Sequence, residues 1–308
     1  AMAVNTTGGL QTAIGAYALD ASTTGASQGN VAVGYVAMGA NTTGYSSVGV
    51  GAYALDAQTT AEGNTAVGYF ACSACTDGWQ NTGIGHAALS KATSSTNTAV
   101  GYNALKEATS SGGNVAVGSA AGDGLTTGSG CNTILGNQAD TSASDSTYQV
   151  VLGYNVTGTA DSTVTIGSAS GTASLSLDGS DTSWAAASDE RLKENITTST
   201  AGLSFINDLR PITFNWKKAG EVPEDMSQYI EGSEKPCVGP EYGITQHGFV
   251  AQEVKTAIDN HPELKEGFNM WQEYDNGTQS IAEGNVVNIL VKAVQELSAE
   301  VEELKAKL

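Results

Sequence analysis

The chain has 308 residues, a net charge of −19 at pH 7, 38 glycines and 6% aromatic residues. This length allows two domains of ordinary size. The strong acidity disfavours a nucleic-acid partner. No run approaches the roughly 18 apolar residues of a membrane-spanning helix, so we expect no membrane insertion.

The composition of the chain changes at Ser188. The residues before it contain two lysines, no arginine and no proline, whereas those from Ser188 onward hold all 5 prolines and the other basic residues. Both parts are acidic. The change predicts a domain boundary at Ser188.

The four cysteines do not indicate a metal site. Cys72 and Cys75 form a C-x-x-C pair, but neither a second such pair nor a histidine pair accompanies it. We therefore interpret the two cysteines as small core residues, and we expect neither a metal nor a cofactor.

The first part of the chain repeats one short unit, in which an apolar run such as VAVG or TAVG ends in a glycine. The spacing between these glycines is near 17 residues, at Gly15, Gly34, Gly51, Gly68, Gly85, Gly101, Gly118, Gly136, Gly153 and Gly167. Asparagine lies four residues before six of them, at Asn30, Asn64, Asn81, Asn97, Asn114 and Asn132. Alanine follows three residues after eight of them, from Ala18 to Ala139.

These runs are too short for helices and alternate as strands do. They predict a parallel β-roll or β-helix of about ten coils of ~17 residues over residues 1–158. Glycine would let the chain bend where a side chain would block the next coil, and the asparagines would stack into a ladder. Such a coil encloses little core, which favours an oligomer.

The stretch NTAVGYNAL resembles the head repeats of trimeric autotransporter adhesins and repeats of many phage tail fibres. The resemblance implies a left-handed roll in a homotrimer, while a generic solenoid with another function stays open. In residues 159–187, the alternating stretches STVTIG and ASLSL predict a β connector.

The motifs SDERLKENI, GLSFINDLRPITFNWK and YGITQHGFVAQEV, followed by a helix, span residues 188–308. Together they resemble the intramolecular chaperone domain that ends phage endosialidases and other tail spikes and fibres. The resemblance implies an α+β domain that trimerises, guides the folding of the fibre before it, and cleaves itself off.

The same resemblance implies the roles of individual residues. Ser188 is the expected nucleophile, Lys193 its general base, and Ala187–Ser188 the bond that is cut. Asp189, Asn195 and His247 are expected to have supporting roles. The Ser188 hydroxyl can reach the carbonyl carbon of Ala187 through a five-membered ring, and attack within one chain or between chains stays open.

A heptad pattern predicts a coiled-coil helix over residues 285–308. Its positions are Val287, Leu290, Val294, Leu297, Val301, Leu304 and Leu308. By simple rules valine at a with leucine at d favours a dimer, whereas the resemblance implies a trimer.

The leading hypothesis is a phage tail-fibre or spike segment that is assembled in the host cytoplasm and carried on the virion. Its C-terminal domain is expected to act once, on its own chain, and the fibre is a candidate for binding a host glycan or protein. The alternatives are a trimeric surface adhesin and a structural fibre without proteolysis. A polysaccharide-degrading spike is disfavoured, because the acids before Ser188 are scattered.

Overall fold

The computed structural model describes residues 10–23, 29–128, 130–177, 185–186, 188–239 and 243–308. The chain divides into two compact units, Ala1–Leu192 and Lys193–Leu308. Each unit has its own hydrophobic core.

The first unit is a β-solenoid whose strands form one sheet in chain order. The parallel strands are β1 Thr12–Ile14, β2 Val31–Val33, β3 Val48–Val50, β4 Thr65–Val67, β5 Thr82–Ile84, β6 Thr98–Val100, β7 Val115–Val117, β8 Thr133–Leu135, β9 Val150–Tyr154 and β10 Thr163–Ser168. Ten parallel strands enclose about nine turns, so the predicted parallel coil is confirmed.

The sheet keeps one register along its length. Val67 on β4 pairs with Ile84 on β5, which pairs with Val100 on β6. Because side chains alternate along a strand, the middle residue points inward and its neighbours point outward. Small inward residues such as Ala66 pack with the predicted row of alanines, all fully buried from Ala18 to Ala139.

The repeated glycine is required by the close approach of neighbouring coils. Gly68 has a φ of +142°, and a Cβ added to it would lie 2.3 Å from the carbonyl oxygen of Gly85 in the next coil. Both the backbone conformation and the lack of space exclude other residues. The prediction that a side chain here would block the next coil is confirmed.

The predicted asparagine ladder is also confirmed. The backbone N–H of Asn114 donates to Oδ1 of Asn97, and that of Asn132 donates to Oδ1 of Asn114, both at 3.0 Å. Ser47 and Gln149 stand in the ladder where asparagine is lacking, and their backbone N–H groups donate to the asparagine of the preceding coil. The ladder therefore satisfies buried polar groups and fixes the register.

Cys72 and Cys75 are fully buried free thiols within the solenoid core. A hydrogen bond with Cys75, together with burial, raises the pKa of Cys72. Their interpretation as core residues is confirmed. Within the described ranges, His, Cys, Asp and Glu side chains nowhere gather in threes that could hold a metal.

The solenoid sheet ends in antiparallel strands. After β10, strand β11 (Gly171–Ser176) turns back along it, and β12 (Ala185–Ala186) pairs with β11. The stretches STVTIG and ASLSL are thus strands. Strand β10 continues the parallel sheet beyond residue 158. The predicted boundary between the repeat domain (1–158) and the connector (159–187) therefore stays a prediction.

The second unit is a small α+β domain. Its helices are α1 Leu203–Asp208, α2 Ala251–Asn260 and α3 Val287–Ala306, and its strands are β13 Ile212–Phe214, β14 Gln246–Gly248, β15 Trp271–Glu273 and β16 Gln279–Ile281. The strands form two antiparallel pairs, β13–β14 and β15–β16. Phe205, Met270 and Ile289 are at the centre of the core. None of the helices in the described part of the chain has the length and apolar content to cross a bilayer.

Candidate self-processing junction

The predicted cleavage site lies where the solenoid sheet ends. Ala186 pairs with Ala173 on β11, Ala187 is outside the described residues, and Ser188 follows. All residues of the segment 188–200 are exposed, and its one regular element is a 3₁₀ turn, Glu190–Leu192. The segment is therefore accessible to solvent in the single chain.

Asp189 shapes the start of this segment. Its Oδ1 accepts hydrogen bonds from the backbone N–H and the Nε of Arg191, both at 2.9 Å, and its Oδ2 accepts one from Nη2 at 2.7 Å. A carboxylate that accepts the backbone N–H two residues ahead stabilises a turn. These contacts are compatible with the predicted supporting role of Asp189, which stays a prediction.

The boundary between the two compact units separates Ser188 from Lys193, so their pairing also stays a prediction. Both residues are exposed. An amine acts as a base near neutral pH when burial disfavours its charged form. A functional Ser188–Lys193 pair therefore requires an environment more buried than this single chain provides.

Two apolar side chains flank Lys193 in the exposed segment. Leu192 is 73% exposed and Ile196 is 63% exposed. Both are large apolar groups that gain free energy when they leave water. Burial of Leu192 and Ile196 against another protein surface would therefore be favourable.

Two other candidates lie in the second unit. Asn195 has a φ of 55°, in the left-handed region that asparagine tolerates. His247 is exposed at the centre of β14, opposite Thr213 on β13. The supporting roles expected of Asn195 and His247 stay predictions.

His247 lines a cleft of about 710 Å³ whose walls include Phe214, Trp216, Met226 and Ile281. The motifs in the sequence do not by themselves predict this cleft. The alternation in ITFNW, which puts Phe214 and Trp216 on the same side of a strand, was the available signal. The two rings contact each other edge to face, with centroids 5.1 Å apart.

The heptad positions of α3 point away from their own domain. The residues Val287, Leu290, Val294, Leu297, Val301 and Leu304 are all exposed, by 41% or more, and so is Leu308, which lies just after the helix. By contrast Ile289 and Ala293, which lie outside the heptad pattern, are the buried residues of this helix. The apolar stripe of α3 is therefore available to other helices.

His261 makes contacts that no motif in the sequence predicts. Its Nε2 lies 2.8 Å from Oδ2 of Asp208, at the end of α1, and its Nδ1 lies 3.1 Å from Oε1 of Glu263. The hydrogen bond to Asp208 is the main cause that raises the pKa of the imidazole, and Glu263 adds to it against the effect of burial. His261 thus joins two helices.

Residues 188–262 match the family model described as chaperone of endosialidase, which is named as peptidase family S74. The match supports a C-terminal chaperone domain, and the family name suggests a peptidase-related domain that processes itself. It begins at Ser188 and covers about a quarter of the chain. Neither the curated proteins nor the solved structures include a significant match.

Proposed function

We propose that this chain is a segment of a phage tail fibre or spike, and that its C-terminal domain directs trimeric folding and then releases itself by autoproteolysis. The observation that carries the proposal is the start of the family match at Ser188. The change in composition occurs at the same residue, and strand β12 ends two residues before it. A cut there would leave the solenoid sheet intact.

The proposed chemistry is an acyl shift followed by hydrolysis. The Ser188 Oγ attacks the carbonyl carbon of Ala187 while Lys193 accepts its proton. The peptide C–N bond then breaks, the nitrogen of Ser188 takes up a proton, and an ester joins the two residues. Water hydrolyses the ester, which gives a carboxylate on Ala187 and restores the hydroxyl of Ser188.

The exposure of the junction supports a link between assembly and cleavage. In the single chain Lys193 is exposed, as are Leu192 and Ile196 beside it. We propose that association of three copies, through the apolar stripe of α3, covers this segment and removes Lys193 from water. Cleavage would then follow folding, and each molecule would act once.

Expression of the full chain tests the proposal. Intact-mass measurement should find one fragment that ends at Ala187 and one that begins at Ser188. Ser188→Ala should abolish the cut, Ser188→Cys should restore part of it because a nucleophile is present, and Lys193→Arg should abolish it because guanidinium stays protonated. The proposal is rejected if the cut falls elsewhere, or if the wild-type chain stays full-length after complete folding, as the Ser188→Ala chain should. Either result would favour a purely structural fibre or an adhesin.

A further inference from the structure

A small surface pocket lies on the loops that precede strands β4 and β5 of the solenoid. Its volume is about 280 Å³, and its walls are formed by Thr60, Ala61, Glu62, Asp77 and Trp79. Asp77 and Trp79 are exposed, and Glu62 is half-buried. The pocket therefore combines an aromatic ring with two carboxylates.

Backbone hydrogen bonds place a second aromatic residue on the other side of Glu62. The N–H of Gly63 donates to the carbonyl oxygen of Tyr45 at 3.1 Å. The N–H of Gln80 donates to the carbonyl oxygen of Glu62 at 3.0 Å. Tyr45, Glu62 and Trp79 thus hold equivalent positions in three successive coils, which are about 4.8 Å apart. Tyr45 is 45% exposed and Trp79 is 47% exposed, so an accessible ring lies in the coil on either side of Glu62.

The solenoid fold does not require these side chains. The equivalent position is Ser95 in the next coil and Gly112 in the one after it. Both continue the same series of backbone hydrogen bonds without a ring or a charge. Within the described ranges, the indole of Trp79 meets neither another aromatic ring nor a hydrogen-bond acceptor. The aromatic and acidic residues of this loop are therefore additions to the repeat.

The two carboxylates of the pocket have no basic partner in the described part of the chain. The lysines of the solenoid, Lys91 and Lys106, both pair with Glu107. Asp77 accepts one long hydrogen bond, at 3.4 Å, from the hydroxyl of Thr60. The pocket thus carries two negative charges that no side chain of the chain neutralises.

This combination of groups favours a positively charged organic ligand. An aromatic face attracts a cation that lies within about 6 Å of the ring centre, and a nearby carboxylate adds a Coulomb attraction. Phosphate and other anions would be repelled. A calcium ion takes about 6–8 oxygen ligands and gains nothing from an indole ring.

We propose that the pocket binds a substituted ammonium group, held against Trp79 and Tyr45 by cation–π contacts and against Glu62 and Asp77 by charge. The proposal goes beyond self-processing, because it concerns the first unit alone. The group is the head of a small molecule such as choline or the side chain of a lysine, and both present the same chemistry to the pocket.

Saturation-transfer NMR on the full chain tests the proposal with matched probes. Choline is compared with its uncharged isostere, in which a tert-butyl group replaces trimethylammonium. Choline should receive saturation and bind more weakly as salt is added, because salt screens exposed charges. The isostere should bind at least several-fold more weakly than choline. A lysine blocked at both backbone ends shows whether a primary ammonium on a peptide binds as well.

Variants of the pocket residues locate the site. Trp79→Ala should weaken choline binding about tenfold because it removes the aromatic face, and Glu62→Gln should weaken it several-fold. Asp145→Asn removes a carboxylate at an exposed position of a later coil and should leave the affinity unchanged. Circular dichroism verifies that each variant is folded.

Equal binding of choline and its isostere would overturn the proposal, as would binding of neither ammonium probe. An unchanged affinity in folded Trp79→Ala would do the same. Binding of methyl glucoside in place of the ammonium probes would identify a neutral-sugar site and reject the cation. The comparison of probes uses the unaltered chain, so it holds even where a variant folds poorly. Because the pocket lies in the first unit, the result does not depend on cleavage at Ser188.

Discussion

The carboxylate of Glu296 on α3 accepts a 2.7 Å hydrogen bond from the backbone N–H of Leu203, the first residue of α1. Helix α1 has no side-chain cap of its own, since its cap residue is Gly202. A residue 93 positions away therefore satisfies a free N–H at the start of this helix, where a negative charge is also favoured.

Glu296→Ala should lower the melting temperature of the C-terminal unit, because the N–H of Leu203 loses its acceptor. The exposed Glu300→Ala, on the same helix, should have little effect. The hydrogen bond from Leu203 lowers the pKa of Glu296, so its contribution is present above about pH 4.3 and is lost as the pH falls through the folded pKa. Calorimetry of both variants at pH 7 and below pH 4 provides the measurement.

His261 should make the stability of the C-terminal unit depend on pH near neutrality. Its pKa is raised in the folded state, so its contribution is complete below about pH 6.5 and is lost as the pH rises through the folded pKa. His261→Gln should flatten the melting-temperature profile between about pH 6 and 8. The exposed His247→Gln serves as the control, and an unchanged profile in His261→Gln would contradict the prediction.

Asn97→Ala should destabilise the solenoid by about 1–3 kcal/mol, the cost of leaving a buried donor unpaired. The donor is the backbone N–H of Asn114, which loses its acceptor. Asn137→Ala, at an exposed position, should change stability by less than about 0.5 kcal/mol. Guanidinium unfolding followed by circular dichroism compares the two, and equal midpoints would show that the ladder adds little.

Gly68→Ala should destabilise the solenoid by roughly 2–4 kcal/mol through backbone strain and the clash with Gly85. Gly171→Ala is the matched control, because a Cβ there meets nothing within 4 Å. The yield of soluble chain and the unfolding midpoint should both fall for Gly68→Ala alone. A Gly68→Ala chain as stable as the Gly171→Ala chain would refute the close-approach argument.

Leu297→Asp should prevent assembly of the full chain, because a charge would enter the exposed apolar stripe of α3. Gln295→Asp adds the same charge at an exposed position outside the heptad pattern. Light scattering should find the mass of three chains for Gln295→Asp and of one chain, or aggregates, for Leu297→Asp. Two identical masses would exclude the α3 stripe as the assembly surface.

The solenoid could be predicted in detail because each of its contacts recurs. Gly68 approaches the backbone of the next coil, and Oδ1 of Asn97 accepts a backbone N–H of the next coil, as their equivalents do in other coils. The same local constraint therefore recurs many times in the sequence. The contacts of the C-terminal domain occur once. His261 meets Asp208 across 53 positions, and no spacing rule indicates that pair.

The sequence offers candidate residues for the site, whose roles stay predictions, and it does not give their environment. The motif around Ser188 and Lys193 is a local pattern. Whether Lys193 is buried depends on what covers Leu192 and Ile196, and this is a property of the packing of distant segments or other chains. The arrangement of the site therefore depends on contacts with distant segments or other chains, which a single local motif does not encode.

The coil-to-coil contacts of the solenoid set its length in whole units. Each coil joins its neighbours through the same backbone pairs, the same glycine and the same ladder position, as Asn97 does with Asn114. Duplication or loss of one unit of about 17 residues would change the length in steps of about 4.8 Å while every remaining joint stays the same. Evolution can thus adjust the length of such a solenoid without redesigning its interior.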